Sequence, residues 1–284
     1  MKWVQFTKKD DPSGRVSLGV LENDGQVRLF AEGMELKSLI EETSSGAELP
    51  RSPAYAPLFA ADDIVLRAPI LKPDKMIFIG LNYRDHAAES NMAVPSVPVL
   101  FPKFANSIVG PGEAVVIPAE VKECDYEAEL AVVIGRRAKK VAREDAMAHV
   151  FGYTIVNDVS ARDLQLKEGQ WTRGKAIDTF APMGPCVVTA DEIPDPGRLD
   201  ISLALNGTIL QHSNTRELIF DIPYLISFLS RTITLEPGDI ISTGTPPGVG
   251  MGRTPPVWLR DGDVTDVSIE GIGTLSSRYV QERD

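Results

Sequence analysis

The sequence predicts an α+β protein rich in β-structure, with a small N-terminal domain over residues 1–70 and a larger domain over 71–284. Short apolar or alternating runs bounded by Gly, Pro and Asn recur along the chain and outnumber the helical patterns. The run from Asp125 to Gly135 is apolar on both faces, Leu130, Val132 and Ile134 on one and Ala131 and Val133 on the other. That is the pattern of a strand covered on both sides. Residues 44–57 are a Ser/Gly/Ala/Pro-rich loop, and Pro69 and Pro73 bracket a linker, which sets the boundary near residue 70.

In chain order, residues 16–30 alternate about Asn23-Asp24-Gly25 and predict a hairpin. Residues 34–44 predict a short helix and Ile64-Val65-Leu66 a short strand. Residues 76–81 are apolar throughout and predict a buried strand, followed by a short helix over 83–91. A passage with Pro95, Pro98, Pro102, Pro111 and Pro118 follows. Residues 143–151 carry Ala146, Val150 and Phe151 as one apolar face and predict a helix. Residues 153–160 predict a second buried strand. Residues 199–205 predict a strand ending at an Asn206-Gly207 turn, and 221–230 an amphipathic helix with Pro223 in its first turn. A Pro237-Gly238-Asp239 turn leads into an apolar run over 240–245, and 264–269 and 274–280 alternate as final strands.

The chain has 284 residues, enough for a sizeable core, and its 43% apolar and 24% charged content is that of a globular protein. A net charge of −11 without any basic run argues against nucleic acid. No run is long enough to span a membrane and the first residues lack a signal pattern. Cys124 and Cys186 do not make a disulfide framework, so the cytoplasm is the expected compartment. With His86, His149 and His212 the only histidines, a His-rich metal centre is excluded.

Glu127 and Glu129 stand two apart at the start of the 125–135 run, so on a strand they share a face. Two like charges on a buried face persist only if a cation, protons or cationic side chains compensate them. No Lys or Arg lies between Glu127 and Gly135, which makes a divalent metal the economical answer. Oxygen-only ligands suit Mg²⁺, Mn²⁺ or Ca²⁺. A frayed strand start with both glutamates in water is the alternative. Asp158, at the far end of the 153–160 run, offers a third carboxylate, and such a face leaves positions on an ion open to substrate. Asp158 also reads as a cap for a helix beginning near Ser160-Ala161-Arg162-Asp163.

His86 and Glu89 share a face of the 83–91 helix. A carboxylate on one imidazole nitrogen orients the ring and makes the other nitrogen a better base; an incidental surface pair has the same spacing. Arg162 and Lys175 are candidate clamps for a substrate carboxylate, with a plain surface lysine as the alternative for Lys175. The loop Thr243-Gly244-Thr245-Pro246-Pro247-Gly248-Val249-Gly250 offers N–H groups and hydroxyls to an anion but lacks the Lys-Ser/Thr ending of a P-loop.

Five motifs occur together in order: Gly80-Leu81-Asn82-Tyr83 with His86 and Glu89; Tyr126-Glu127-Ala128-Glu129-Leu130; Asn157-Asp158-Val159-Ser160-Ala161-Arg162-Asp163; Gly174-Lys175 with Asp178-Thr179-Phe180; and Thr243-Gly244-Thr245-Pro246. In that order the chain resembles the fumarylacetoacetate hydrolase (FAH) family over residues 75–284. The resemblance implies an FAH-type mixed β-sandwich roll assembled as a homodimer. It implies a Mg²⁺ or Mn²⁺ site on Glu127, Glu129 and Asp158 and a His–Glu pair on a lid, matching His86 and Glu89. It places substrate contacts on Arg162, Gln165, Lys175 and Thr245, with Lys175 joining His86 and Glu89 as a catalytic group. The first 70 residues resemble the small variable domain of longer bacterial members. Residues 176–185 look like that longer branch, which contains hydrolases, decarboxylases, isomerases and lyases of 2-oxo and 2,4-dioxo acids.

The expected activity is metal-dependent hydrolysis of a C–C bond in a 2,4-dioxo acid, an acylpyruvate or fumarylpyruvate-like substrate. His86 would activate water and the ion would stabilise the departing enolate. The alternative is a decarboxylase or tautomerase/isomerase of a 2-oxo dicarboxylic acid, oxaloacetate or a homoprotocatechuate-pathway intermediate, on the same ion without attacking water. A non-catalytic metal-binding protein is a third reading, against which the intact His86 and Glu89 argue. The partner implied is a small 2-oxo or 2,4-dioxo acid.

Overall fold

The computed structural model describes residues 1–89 and 93–283. Its strands there fall into a 12-stranded sheet, a five-stranded sheet and a two-stranded ribbon. At the centre of the large sheet runs Ala128–Ile134, all seven residues buried. Val150–Asn157 and Ile240–Ser242 flank it, both antiparallel. Ile240–Ser242 pairs in parallel with Met76–Gly80, and that strand pairs antiparallel with Val99–Lys103 at the sheet edge. The register Ala128↔Asn157, Ala131↔Ser242, Ser242↔Phe78 and Phe78↔Phe101 gathers several strand ends on one side of the molecule.

Both faces of the central strand are covered, as its two apolar faces require. Leu130, Val132 and Ile134 share a core with Leu203, Val267, Leu275 and Tyr279 of the five-stranded sheet. Ala131 and Val133 share a second core with Trp3, Phe78, and Leu36 and Ile40 of the short helix Leu36–Thr43. Each fully buried Leu, Ile, Val or Phe contributes about 1.5–3 kcal/mol. These two layers are the rigid frame on which the polar strand ends sit.

The connection near residue 70 separates the strands Ile64–Arg67 and Met76–Gly80. Hydrogen bonding nevertheless runs across it, because Lys2–Lys8 pairs antiparallel with Ala181–Thr189 and continues the large sheet. Both of those strands escaped the sequence reading. Ala181–Thr189 is masked by Pro182, Gly184 and Pro185, and Lys2–Lys8 has a mixed polar and apolar run. The Pro-rich passage also contains strands, Val99–Lys103, Ile108–Val109 and Ala114–Ile117. Pro102 is tolerated because an edge strand has one side without a ladder.

The predicted 143–151 helix is a 3₁₀ run, Arg143–His149, in which Ala146 is the buried residue. Val150 and Phe151 instead open the strand Val150–Asn157, where Val150 faces Ile134. Cross-strand pairing of a β-branched residue there outweighs the helical spacing. The predicted 83–91 helix is Arg84–Glu89, and residues 90–92 lie outside the described residues. The apolar run after Pro237-Gly238-Asp239 is a strand only over Ile240–Ser242. The Asn206-Gly207 turn has both residues at positive φ, as a two-residue hairpin turn demands. Among the described residues no helix is long and apolar enough to cross a membrane.

Candidate active site

Glu127, Glu129 and Asp158 are brought together: one oxygen of each lies within 4.8 Å of the others, and all three residues are buried. The route differs from the strand alternation that suggested it. Glu127 falls between the strands Cys124–Asp125 and Ala128–Ile134 and belongs to neither. Its backbone is fixed instead by Asn157, whose Oδ1 accepts from Glu127 N at 3.0 Å, and by Asp158 N, which donates to Glu127 O at 2.9 Å. Asp158 is not a helix cap. The short helix Arg162–Gln165 has Ala161 at its N-cap with no side-chain bond, and the Asp158 carboxylate turns to two lysines.

Cationic side chains, one of the three forms of compensation the paired glutamates required, are present and come from other elements. Arg162 Nη2 donates to Glu127 Oε1 at 2.5 Å. Lys175 Nζ donates to Glu127 Oε2 and Asp158 Oδ2, each at 2.8 Å. Lys103 Nζ stands 2.5 Å from Asp158 Oδ1. Burial pushes the Glu127 carboxyl up, but Lys175 and Arg162 outweigh it and hold that group well below the usual carboxylate range. Among the described residues Glu129 has no such partner. Burial, together with the charges of Asp158 and Glu127, pushes it well above the usual range. Asp158 is also raised, by burial against the opposing pull of Lys103 and Lys175. Burial lowers Lys103 to about 8, whereas Asp158 and Glu127 keep Lys175 above the ordinary lysine value despite burial.

The donor set fits a hard divalent cation. The three ligand candidates are carboxylate oxygens. Asp158 Oδ1 is buried and, among the described residues, has no hydrogen-bond partner; the contact with Lys103 is close in charge but not aligned as a bond. Both hydrogen bonds to Glu129 go to Oε2, from Ser242 Oγ at 2.5 Å and Gly244 N at 3.0 Å. Its other oxygen is left to the cluster. The unbonded oxygens point the same way.

His86 and Glu89 form a pair, Nδ1 to Oε2 at 3.3 Å. Glu89 also accepts from Gly248 N at 3.1 and 3.0 Å, one to each oxygen. The loop from Thr243 to Gly250 therefore ties the two halves together, holding Glu129 through Gly244 N and Glu89 through Gly248 N. The helix start is anchored as well: Arg84 Nη1 donates to Leu218 O at 2.6 Å, and Ser213 Oγ donates to Asp85 at 2.5 Å. Gln165 and Thr245 are buried and turned toward protein partners. Gln165 Oε1 accepts from Arg162 Nη1 at 2.9 Å, and Thr245 Oγ1 accepts from Gln211 Nε2 at 2.9 Å.

Several supporting residues escaped the sequence reading. Asp125 is fully buried and accepts from Arg162 Nε at 2.8 Å, Gly250 N at 2.7 Å and Met251 N at 3.1 Å. Gln211 accepts from Ala128 N and donates to Pro246 O. Lys103 is fully buried on an edge strand. The legible signal was alternation, since Phe101 and Lys103 are the inward positions of Val99–Lys103. Cavity size does not mark the site. A cleft of about 710 Å³ between Arg84, Arg143, Phe220 and Tyr224 includes none of the carboxylates or their cations.

Residues 75–280 match the family described as fumarylacetoacetate (FAA) hydrolase C-terminal. A curated relative named oxaloacetate tautomerase fahd2, mitochondrial, from Xenopus laevis is 44% identical over 288 residues, covering 99% of this chain and 90% of the relative. Fumarylacetoacetate hydrolase from psychrophilic Exiguobacterium antarcticum superposes with a TM-score of 0.87 at 40% identity, over 99% of this chain and 100% of that one. 5-Carboxymethyl-2-hydroxymuconate delta-isomerase from Mycobacterium smegmatis superposes with a TM-score of 0.81 at 36% identity, over 100% of both chains.

Proposed function

The chain belongs to the fumarylacetoacetate hydrolase family, and on that premise we propose that it is a divalent-metal-dependent tautomerase of a 2-oxo dicarboxylic acid of the oxaloacetate kind. The observation that supports this over C–C bond hydrolysis is the likeness, along nearly the whole chain, to a protein named oxaloacetate tautomerase. The mycobacterial isomerase points the same way, because its named substrate is a 2-hydroxy acid with an enol next to a carboxylate. Both reactions move one proton between an oxygen and a carbon.

Glu127, Glu129 and Asp158 would hold the ion. A bound divalent ion would supply Lewis-acid polarisation of the 2-oxygen. The protein's own groups do the rest. Arg162 has five N–H donors, of which three are hydrogen-bonded to Asp125, Glu127 and Gln165, so its remaining donors can be offered to a substrate carboxylate. Lys175 has three N–H donors, two of them on Glu127 and Asp158, and the third is available to the 2-oxygen. His86, oriented by Glu89, delivers a proton to C3 in the enol-to-keto direction as the 2-hydroxyl gives its own proton to solvent. No bond between heavy atoms breaks, so no attacking water is required. A homodimer and a cytoplasmic location are part of the proposal; both cysteines are free and buried, although the Xenopus relative is named mitochondrial.

The test is oxaloacetate in deuterated buffer with Mg²⁺ or Mn²⁺, followed by proton NMR. The expected result is faster enol–keto interconversion and C3 deuterium exchange than in buffer, with no gain in pyruvate. Metal-dependent cleavage of an acylpyruvate, with oxaloacetate interconversion unaccelerated, would replace this reading by hydrolysis.

A further inference from the structure

Lys103 takes no part in the chemistry above, yet it is the most enclosed cation of the site. Its side chain is fully buried, on a strand at the sheet edge. An ammonium has three hydrogens, and three oxygens surround this one: Val159 O at 2.8 Å, Phe180 O at 2.5 Å and Asp158 Oδ1 at 2.5 Å. The Phe78 ring centroid lies 5.5 Å away. Two of its hydrogens are bonded to backbone carbonyls and its remaining side faces Asp158 Oδ1, so Lys103 touches the carboxylate cluster rather than a substrate and is not a catalytic residue.

The motif Asp178-Thr179-Phe180 explains why the lysine is held there. It forms the turn directly after Lys175, and it is gripped by the segment that follows Lys103. Thr179 N donates to Asn106 O at 3.3 Å. Asn106 Nδ2 donates to Ala176 O at 3.3 Å and to Asp178 Oδ1 at 2.5 Å. Thr179 has φ +69, a conformation that a free chain avoids. Lys103 and Asn106 thus join the corner bearing Asp158 to the turn leaving Lys175.

We propose that Lys103 is a positioning residue that takes the ion's electrostatic place when no ion is bound and yields Asp158 Oδ1 to the ion when it arrives. The inference rests on the reading of Asp158 as a ligand. Three observations carry it. The lysine approaches the one oxygen of the carboxylate that Lys175 does not occupy. That oxygen has no aligned hydrogen bond, so it is free to change partners. Val159 O and Phe180 O remain as full partners for the displaced ammonium. Lys103 therefore stabilises the metal-free protein and opposes the incoming dication, and its charge sets how tightly the ion is held.

The test is calorimetric titration of the full chain with MgCl₂ alone, comparing the parent with Lys103→Gln and Lys103→Met. Gln keeps a donor for the two carbonyls and removes the charge. Both variants should bind Mg²⁺ about tenfold more tightly or better, since a unit charge beside a dication is removed. Both should melt lower than the parent without Mg²⁺, with the gap narrowing when Mg²⁺ is added. A lysine that only braced the fold would lose affinity as the corner loosened, so unchanged or weaker Mg²⁺ binding in a folded variant overturns the proposal. If the parent itself binds neither Mg²⁺ nor Mn²⁺, the three-carboxylate reading fails and takes this one with it. Should neither variant fold, crystals of the parent with and without Mg²⁺ decide. Nζ withdrawing beyond about 3.5 Å from Oδ1 supports the exchange; an ion on Oδ1 with Nζ unmoved refutes it.

Discussion

Asp125→Asn should be among the most damaging isosteric changes in the chain. The carboxylate is fully buried and every neighbour is a donor. Oδ1 accepts from Tyr126 N at 2.8 Å and Gly250 N at 2.7 Å. Oδ2 accepts from Arg162 Nε at 2.8 Å and Met251 N at 3.1 Å. In asparagine one of these oxygens becomes an NH₂ group that must face donors whichever way the amide is turned. Among the described residues, the substitution also leaves the buried Arg162 with Glu127 as its sole anionic partner. Removing one partner of a buried pair costs about 3–5 kcal/mol. At roughly 2 °C per kcal/mol for a chain of this size, that is a fall in Tm of about 6–10 °C. Thermal melting and urea unfolding of parent and variant, both with metal removed, measure it. Because Arg162 is also the proposed carboxylate clamp, KM for the acid should rise in the same variant. A Tm within 2 °C or so of the parent would show that Arg162 and the 250–251 backbone do not depend on this carboxylate, and the account of how the site is braced would be wrong.

Two further outcomes follow from the charges and bonds of the site. Glu129 is raised by burial and by the charges of Asp158 and Glu127, so the metal-free protein keeps its proton above the usual carboxylate range. An ion needs that proton gone. Mg²⁺ affinity should therefore weaken as pH falls through the raised value, with proton release on binding that grows as pH is lowered toward and below it; calorimetry in buffers of different ionisation enthalpy reads this, and zero release at every pH contradicts it. His86→Ala should lower the tautomerisation rate by about 10²–10⁴-fold, and Glu89→Gln by less, because an amide oxygen can still accept from the ring. Neither touches the three carboxylates, so Mg²⁺ affinity should not move; a His86→Ala enzyme within about threefold of the parent rate removes the proton-transfer role.

The doubly apolar run after Glu129 could only be a strand between two cores, because both faces of a pleated strand need covering. The Asn206-Gly207 turn and the Asp221-capped helix Ile222–Ser230 were legible for equally local reasons, a pair of positive φ angles and a side-chain bond to Tyr224 N. The three carboxylates and the His86–Glu89 pair were legible from residue type and from motif order. What compensates those carboxylates was not. Lys103, Arg162 and Lys175 reach Glu127 and Asp158 from 17 to 55 residues away across separate elements, and no spacing rule connects them. The strand Ala181–Thr189 was equally hidden, since its prolines argue locally against a strand and only pairing with Lys2–Lys8 and Val150–Asn157 decides otherwise. Local chemistry determined which residues had to be buried or compensated. Tertiary pairing decided what compensates them, because ion pairs act through space, and only the folded sheet brings their partners within a few ångströms.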